Sequence, residues 1–189
     1  MLLYMIRHGE SEANATRSHA GWAQISLTEK GREDAKRAIK TLAGLAFDQV
    51  YASDLVRAIE TKEIVMPGVP FEQSPLLREI GVGTLAGRTL AECEAALGEA
   101  YVADRARKDF TAYGGESHGD HRARVASFLE RLGTKNYTRV AAFCHEGTML
   151  RALELVNGCR EVSHLHCKNG GVCIFEYQGG RWSLLEWDV

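Results

Sequence analysis

Proline is scarce in this chain of 189 residues, with 3 in total, and neither sign of charge predominates, since 23 Lys+Arg stand against 25 Asp+Glu. Low proline content together with 45% hydrophobic residues excludes a disordered or collagen-like chain. A formal net charge of −2 argues against a broad nucleic-acid or membrane surface, which would show as clustered Lys and Arg. The sequence therefore predicts a soluble globular protein with no nucleic-acid or membrane partner.

Long hydrophobic runs and a disulfide framework are also missing. The apolar run at the amino end reaches Arg7 after six residues, so we expect neither the core of a signal peptide nor a membrane span. The cysteines are five, an odd number with no repeated short spacing. We expect a cytoplasmic protein with reduced thiols, several of which fill the core as small apolar groups.

The pattern of elements predicts an α/β fold. A chain of this length forms one domain, or one domain with an inserted cap. Apolar runs typical of buried strands, at 2–6, 49–52 and 139–144, alternate with helical patterns. This alternation predicts a single three-layer domain over 1–189, with a mostly parallel central sheet and helices on both faces. The alternation is weakest between about 74 and 117, where we expect a small helical cap inserted over the active site.

Capping residues and periodicity predict where the elements begin and end. Thr28 is the predicted cap of a helix that runs to about Leu45, and Ser53 or Asp54 caps the next helix. The remaining predictions are a short strand at 69–72, a helix from 89 to about 110 broken near Gly98, helices opened by Ser117 and Thr148, and a terminal hairpin that turns at 178–181.

Two of the predicted buried strands end in a histidine that is soon followed by glycine. The first leads into Arg7-His8-Gly9, and the other leads into His145-Glu146-Gly147. Ligands of open parallel sheets bind beyond the carboxyl ends of the strands. Arg57 lies one helical turn past the exit of another strand, and the planar fork of arginine suits phosphate. The pattern predicts an anion site served by two functional histidines.

Several of these segments resemble known motifs. Residues 3–11, together with Asn14, resemble the defining motif of the histidine phosphatase superfamily, in the branch named after cofactor-dependent phosphoglycerate mutase. Further segments resemble the family's other motifs in the same order and rough spacing along nearly the whole chain: Leu27–Gly31, Ser53–Thr61, Leu77–Glu79, Gly115–Ser117 and Cys144–Gly147. Each motif is weak alone, and the ordered set is specific.

The resemblance implies a phosphomonoester hydrolase that acts on a small phosphorylated metabolite through a phosphohistidine, with no metal or other cofactor. It implies that His8 is the nucleophile and that Glu79 protonates the leaving oxygen and later activates water. Neighbouring arginine charges lower the pKa of His8 toward the neutral form that attacks. The expected partners are the substrate and inorganic phosphate, and the expected state is a monomer or a homodimer. The expected catalytic residues are His8, Glu79, His145, Arg7 and Arg57, and the expected substrate-binding residues are Arg7, Asn14, Gly21, Arg57, His145 and Glu146.

Two positions depart from the family pattern. Glu146 stands where most members have glycine, and a carboxylate about 4 Å from a phosphate oxygen would oppose binding by roughly 1–4 kcal/mol. We therefore expect its side chain to turn outward and pair with the helix N-terminus. Ala86 stands where relatives commonly carry an acidic residue. Both departures bear on rate and substrate and leave the chemistry unchanged.

Other functions are compatible with parts of the sequence. Mutase-type phosphoryl transfer is one alternative, disfavoured because the loop after Glu79 has no basic side chain and Ala20-Gly21 replaces a threonine-glycine pair. A non-catalytic phospho-ligand module would need neither a nucleophile nor an acid. A zinc site built from Cys159, His164, His166 and Cys167 has a spacing that matches no usual framework. A basic run (Arg105, Arg107 and Lys108) is either a contact to a second anionic group of the substrate or, as we favour, a solvated helix face.

Overall fold

Parallel strands form the centre of the fold. In the computed structural model, which describes residues 1–158, 162 and 165–189, a six-stranded sheet has the order β3-β2-β4-β1-β5-β6. The first four of these run parallel, and β5 and β6 are antiparallel to their neighbours. The predicted mostly parallel sheet is confirmed. The strands are β1 (Leu2–Arg7), β2 (Gln49–Ala52), β3 (Glu72–Gln73), β4 (Arg139–Cys144), β5 (Val172–Gln178) and β6 (Arg181–Glu186).

Helices cover both faces of the sheet, as predicted. Leu3 and Met5 of β1 pack into one apolar cluster, whereas Tyr4 and Ile6 point the other way into a second cluster, because successive side chains of a strand alternate between faces. The first cluster is covered by α6 and α7, and the second by α2, α3 and α4. The helices are α1 (Glu12–Ala15), α2 (Glu29–Ala35), α3 (Arg37–Leu42), α4 (Val56–Val65), α5 (Leu90–Arg107), α6 (His118–Gly133) and α7 (Glu146–Asn157).

Several of the predicted boundaries are confirmed. The hydroxyl of Thr28 accepts from the Gly31 N–H and caps α2. Ser117 and Asp120 form a reciprocal capping box at the start of α6. Helix α5 is broken at Gly98, which has φ +65°, and β5 and β6 form the terminal hairpin. Glycine adopts this positive φ without the clash that a Cβ would introduce.

Other boundaries were predicted wrongly. The helix expected from Thr28 to Leu45 is divided at Lys36, where ψ is −18° and the backbone is close to a 3₁₀ turn. Leu55, and not Ser53 or Asp54, is the cap of α4, because both carboxylate oxygens of Asp54 accept hydrogen bonds from Arg78. Strand β3 lies at Glu72–Gln73 and not at 69–72, and α7 begins at Glu146, two residues before the predicted Thr148.

The segment 74–117 has a small apolar cluster of its own. It contains α5 and three short 3₁₀ helices, and Ala86 packs against its cluster. The apolar side chains of this segment are therefore buried against one another and not against the sheet. The cluster consists of Val82, Leu85, Cys93, Tyr101 and Phe110.

No helix in the described part of the chain is both long enough and apolar enough to span a bilayer.

Candidate active site

The sheet register brings the two histidines together. Arg7 and Cys144 are paired residues at the carboxyl ends of β1 and β4, so His8 and His145 leave the sheet side by side. The His8 N–H donates to the Cys144 carbonyl at 3.1 Å. The ring centroids lie 5.1 Å apart with an interplanar angle of 61°. Parallel neighbouring strands thus form the predicted crevice.

The tautomer of His8 follows from its contact with Gly9. Its Nδ1 lies 2.6 Å from the Gly9 carbonyl oxygen. Because a carbonyl oxygen can only accept, Nδ1 carries the proton and the lone pair of the neutral ring is on Nε2. Burial lowers the pKa of His8 well below its usual value, and the charges of Arg57 and Arg7 lower it further. The direction predicted from the arginines is confirmed, with burial as the larger cause.

His145 is fully buried at the start of α7. Neither of its ring nitrogens has a hydrogen-bond partner among the described residues. Burial, followed by the charge of Arg57, lowers its pKa well below the usual value. A buried, neutral imidazole with one N–H and one lone pair therefore lies beside His8, with neither nitrogen bonded to a described residue.

The guanidinium of Arg7 is held along one edge. Its Nη1 donates to the Cys167 carbonyl and lies 3.2 Å from Oε2 of Glu146. Its Nε is buried and has no partner within the described residues. An Nε–Nη edge of arginine matches two oxygens of a phosphoryl group, so Arg7 is oriented for that use.

Arg57 is fixed by backbone carbonyls. It is fully buried, and its Nη2 and Nη1 donate to Gly21 and Ala23 at 2.9 and 3.1 Å. Burial lowers the pKa of Arg57 to about 10, so the side chain stays charged at neutral pH. Gly21, predicted to bind substrate, contributes its carbonyl to Arg57. A Cβ at Gly21 would stand 2.4 Å from Val82, which explains why glycine fits here.

Glu79 reaches the same cavity from the 74–117 segment. Its Oε2 accepts from the Gly147 N–H at 3.1 Å, and its Oε1 accepts from its neighbour Ile80 at 2.8 Å. Gly147 lies two residues after His145, so this contact ties the carboxylate to the second-histidine motif. Glu79 and His8 thus line the same cavity, where the carboxyl group can exchange a proton with a ligand.

The loop that carries Glu79 is held by Arg124, which sequence reasoning missed. Arg124 donates to the carbonyls of Arg78 and Glu79 at 2.8 and 3.1 Å. Its guanidinium also makes a two-point ion pair with Glu116, at 2.9 and 2.8 Å. The Gly115–Ser117 motif pointed to this place, because Glu116 is the partner of Arg124.

Asn14 and Glu146 line the cavity in ways that the sequence did not predict. Asn14 belongs to the short helix α1, and its Oδ1 accepts from the Ser11 backbone and hydroxyl. The orientation predicted for Glu146 was wrong. Its carboxylate pairs with Arg7 and accepts from the Cys167 N–H at 3.0 Å, because the chain near Cys167 returns to the end of β1.

The cavity has a volume of about 390 Å³. Three further cations line it, namely Arg105, Lys108 and the buried Arg151, whose Nη2 pairs with Glu154 at 2.9 Å. Arg107 instead pairs with Asp104 on the same helix, so the solvated-face interpretation applies to only part of the basic run. Only tertiary structure could have identified Arg151. All the predicted site residues line the cavity except His145, whose ring lies against that of His8.

The proposed zinc ligands lie only partly within the described residues. Cys159 and His164 lie outside the described residues. Within 1–158, 162 and 165–189, no three His, Cys, Asp or Glu side chains are grouped so that they could hold a metal ion.

Two adjacent imidazoles between buried arginines form a cationic site at the end of an α/β sheet, and comparison with known proteins gives the family. The chain belongs to the histidine phosphatase superfamily (branch 1), whose family model matches residues 3–189. It is 36% identical over 168 residues to the 2,3-bisphosphoglycerate-dependent phosphoglycerate mutase of Methylobacterium radiotolerans, a match that covers 82% of this chain and 78% of the mutase.

Solved structures of phosphatases are also similar to this chain. The alpha-ribazole phosphatase of Shigella flexneri matches with a TM-score of 0.90 and 25% identity, covering 100% of this chain and 96% of that one. A mycobacterial glucosyl-3-phosphoglycerate phosphatase matches with a TM-score of 0.84 and 25% identity, covering 99% of this chain and 98% of the other. The resemblance inferred from the motifs is confirmed.

Proposed function

We propose that this protein hydrolyses the phosphate monoester of a small metabolite through a phosphohistidine at His8. The observation that carries the proposal is the neutral imidazole of His8, with its lone pair on Nε2, facing His145 at 5.1 Å between two buried arginines. A neutral imidazole is a competent nucleophile. The phosphatase neighbours and the family membership support the same reaction.

In the first step, Nε2 of His8 attacks phosphorus and the bond from phosphorus to the ester oxygen breaks. Protonated Glu79 gives its proton to the departing oxygen, so the alcohol leaves neutral and Glu79 becomes a carboxylate. The contact of Glu79 with the Gly147 N–H supports this role, because it holds the carboxyl group beside the second histidine.

In the second step, water attacks the phosphorus of phosphohistidine. The Glu79 carboxylate takes a proton from that water, the N–P bond breaks, and inorganic phosphate leaves. His8 regains its lone pair and Glu79 its proton, so both groups return to their starting states. The proposed partners are therefore a small phosphorylated substrate and inorganic phosphate.

Positive charge for the transition state comes from Arg7 and Arg57. Both guanidinium groups are held by protein contacts before the substrate arrives, so they need little reorganisation during the reaction. The N–H of His145 and the amino end of α7 add hydrogen-bond donors to the same oxygens.

The cap cations favour a substrate with a second anionic group. Arg105 and Lys108 line the cavity, and no ion pair engages either side chain in the described part of the chain. We propose that the 74–117 segment caps the site and selects the substrate through these two side chains. The same cations, together with the mutase relatives, favour mutase-type transfer as the second candidate function.

A rapid-quench experiment tests the proposal. Brief exposure to a ³²P-labelled phosphomonoester that carries a carboxylate should leave an acid-labile label on the wild type and none on His8→Ala, while His8→Ala still binds inorganic phosphate. Hydrolysis predicts equal amounts of alcohol and phosphate, whereas a mutase would return an isomeric ester with little free phosphate. Saturable binding without any label or turnover would indicate a binding module. Activity should survive a chelator, because every charged group in the proposed mechanism is a side chain.

A further inference from the structure

Glu146 contacts a phosphoryl-binding arginine from within the cavity. Its Oε2 lies 3.2 Å from Nη1 of Arg7, and the Glu146 side chain is 23% exposed against 7% for Arg7. Water therefore screens this pair only in part. The carboxylate touches Nη1, while the Nε of Arg7 is buried and unpartnered among the described residues. One nitrogen of the Arg7 guanidinium is thus paired with Glu146, and another is left without a protein partner.

A loop segment holds Glu146 in this position. Its Oε1 accepts from the Cys167 N–H at 3.0 Å and contacts Nδ1 of His166. The Cys167 carbonyl accepts from the same Nη1 of Arg7. The segment is itself fastened to β1, since Asn169 donates to the His8 carbonyl at 3.0 Å. Turning the carboxylate away from Arg7 would break contacts to two other groups, so the ion pair is a built feature of the site.

The charge balance of the site follows from this contact. Two buried guanidinium groups bring two positive charges to the phosphoryl position, and Glu146 offsets one of them. Inorganic phosphate is a mixture of monoanion and dianion near neutral pH, so the Glu146 carboxylate reduces the attraction that Arg7 and Arg57 exert on it. We infer that Glu146 sets the affinity of the phosphoryl site, holding Arg7 by Nη1 while weakening the binding of the phosphate product so that it is released. This inference rests on the proposed use of Arg7 as a phosphoryl ligand.

Titration of inorganic phosphate tests the inference. In Glu146→Gln the offsetting charge is gone, and we expect phosphate to bind about 10-fold more tightly than to the wild type, with a matching fall in its product-inhibition constant. Glu130→Gln, a matched charge change on the exposed side of α6, should bind within about twofold of the wild type. An unchanged or weaker affinity in Glu146→Gln overturns the inference.

A second variant separates charge from shape. Glu146→Asp keeps the charge and shortens the side chain, so its affinity for phosphate should stay near that of the wild type. If the aspartate variant tightens phosphate as much as the glutamine variant does, charge is not the cause and the inference is wrong. The affinity for inorganic phosphate is measured by calorimetry, which needs no turnover. Tighter binding in Glu146→Gln would therefore uphold the inference even if no ester were hydrolysed. If the rapid-quench experiment found no label on the wild-type protein, that result would then count against the proposed function alone.

Discussion

The Glu79 carboxylate lies directly against the backbone of Gly147. Its Oε2 accepts from the Gly147 N–H at 3.1 Å, and a Cβ at this glycine would stand only 2.0 Å from Oε1. The general acid of the proposed mechanism can occupy its position only because the second-histidine motif has no side chain there. This contact explains why glycine follows the second histidine closely, and it provides a way to displace Glu79 without changing it.

Gly147→Ala should therefore reduce catalysis without reducing stability. The methyl group pushes the Glu79 carboxylate aside, and loss of general acid catalysis lowers kcat by about 10²–10⁴-fold. The effect should be larger for alkyl phosphates than for aryl phosphates, because poor leaving groups need the proton. The free energy of unfolding should not fall, since alanine favours the helix. Gly119→Ala, also at the second residue of a helix and with 3.6 Å of clearance, is the control. Equal kcat values for both variants would contradict this prediction.

Arg57→Lys should lose both affinity and rate. A single ammonium group cannot bond the carbonyls of Gly21 and Ala23 and also present a planar edge to phosphate. We expect kcat/KM to fall by about 10²–10³-fold, as for removal of one preorganised donor of a transition state. The control is Arg32→Lys, because the Arg32 side chain is 42% exposed in its ion pair with Glu60. Steady-state kinetics that gave the two variants similar values would show that the fork of Arg57 is not needed.

Removing Arg124 should destabilise the protein. In Arg124→Gln the Glu116 carboxylate, which is 13% exposed, loses its partner. Loss of its partner leaves this partly buried carboxylate poorly solvated, which costs about 1–3 kcal/mol of the free energy of unfolding. The double variant with Glu116→Gln should recover part of that loss, because no uncompensated charge remains. Urea unfolding measures both effects, and a loss below about 0.5 kcal/mol in the single variant, as for an exposed ion pair, would contradict this prediction.

Buried neutral histidines should make stability depend on pH below about 6.5. Burial lowers the pKa of His121 to about 3, whereas the unfolded chain titrates near 6.5. Between these values only the unfolded state takes up the proton, so the free energy of unfolding falls as the pH drops. Each such histidine contributes a slope of about 1.4 kcal/mol per pH unit. His121→Gln should remove one such slope between pH 6 and 5 in urea unfolding. An unchanged slope would mean that His121 is protonated in the folded protein.

The sequence was most informative where chemistry requires particular residues in a fixed order. The strand that ends in Arg7-His8 and the strand that ends before His145 could be recognised because parallel buried strands read as continuous apolar runs. Their shared crevice then followed from the topology of open sheets. Capping residues such as Thr28 and Ser117 were equally readable, because a hydroxyl that accepts from a nearby N–H is a local interaction.

Two predictions failed because a side chain binds a partner that is distant in sequence and not the nearby backbone. Asp54 could have capped α4, but Arg78 takes its carboxylate. Glu146 was expected to face outward, but Cys167 and Arg7 hold it in the cavity. Arg78 lies 24 residues from Asp54 in sequence, and Cys167 lies 21 residues from Glu146. Neither contact could have been derived from spacing.

The amino-acid sequence by itself determined the family, the parallel sheet and the side chains proposed to meet phosphate, because these depend on residue type, order and local periodicity. Tertiary structure alone decided how those groups behave. The low pKa of His8 arises more from burial than from its arginine neighbours, and the charge available at Arg7 depends on a carboxylate delivered by another element. Burial and long-range pairing are properties of the packed chain, since only folding removes water and brings remote segments into contact.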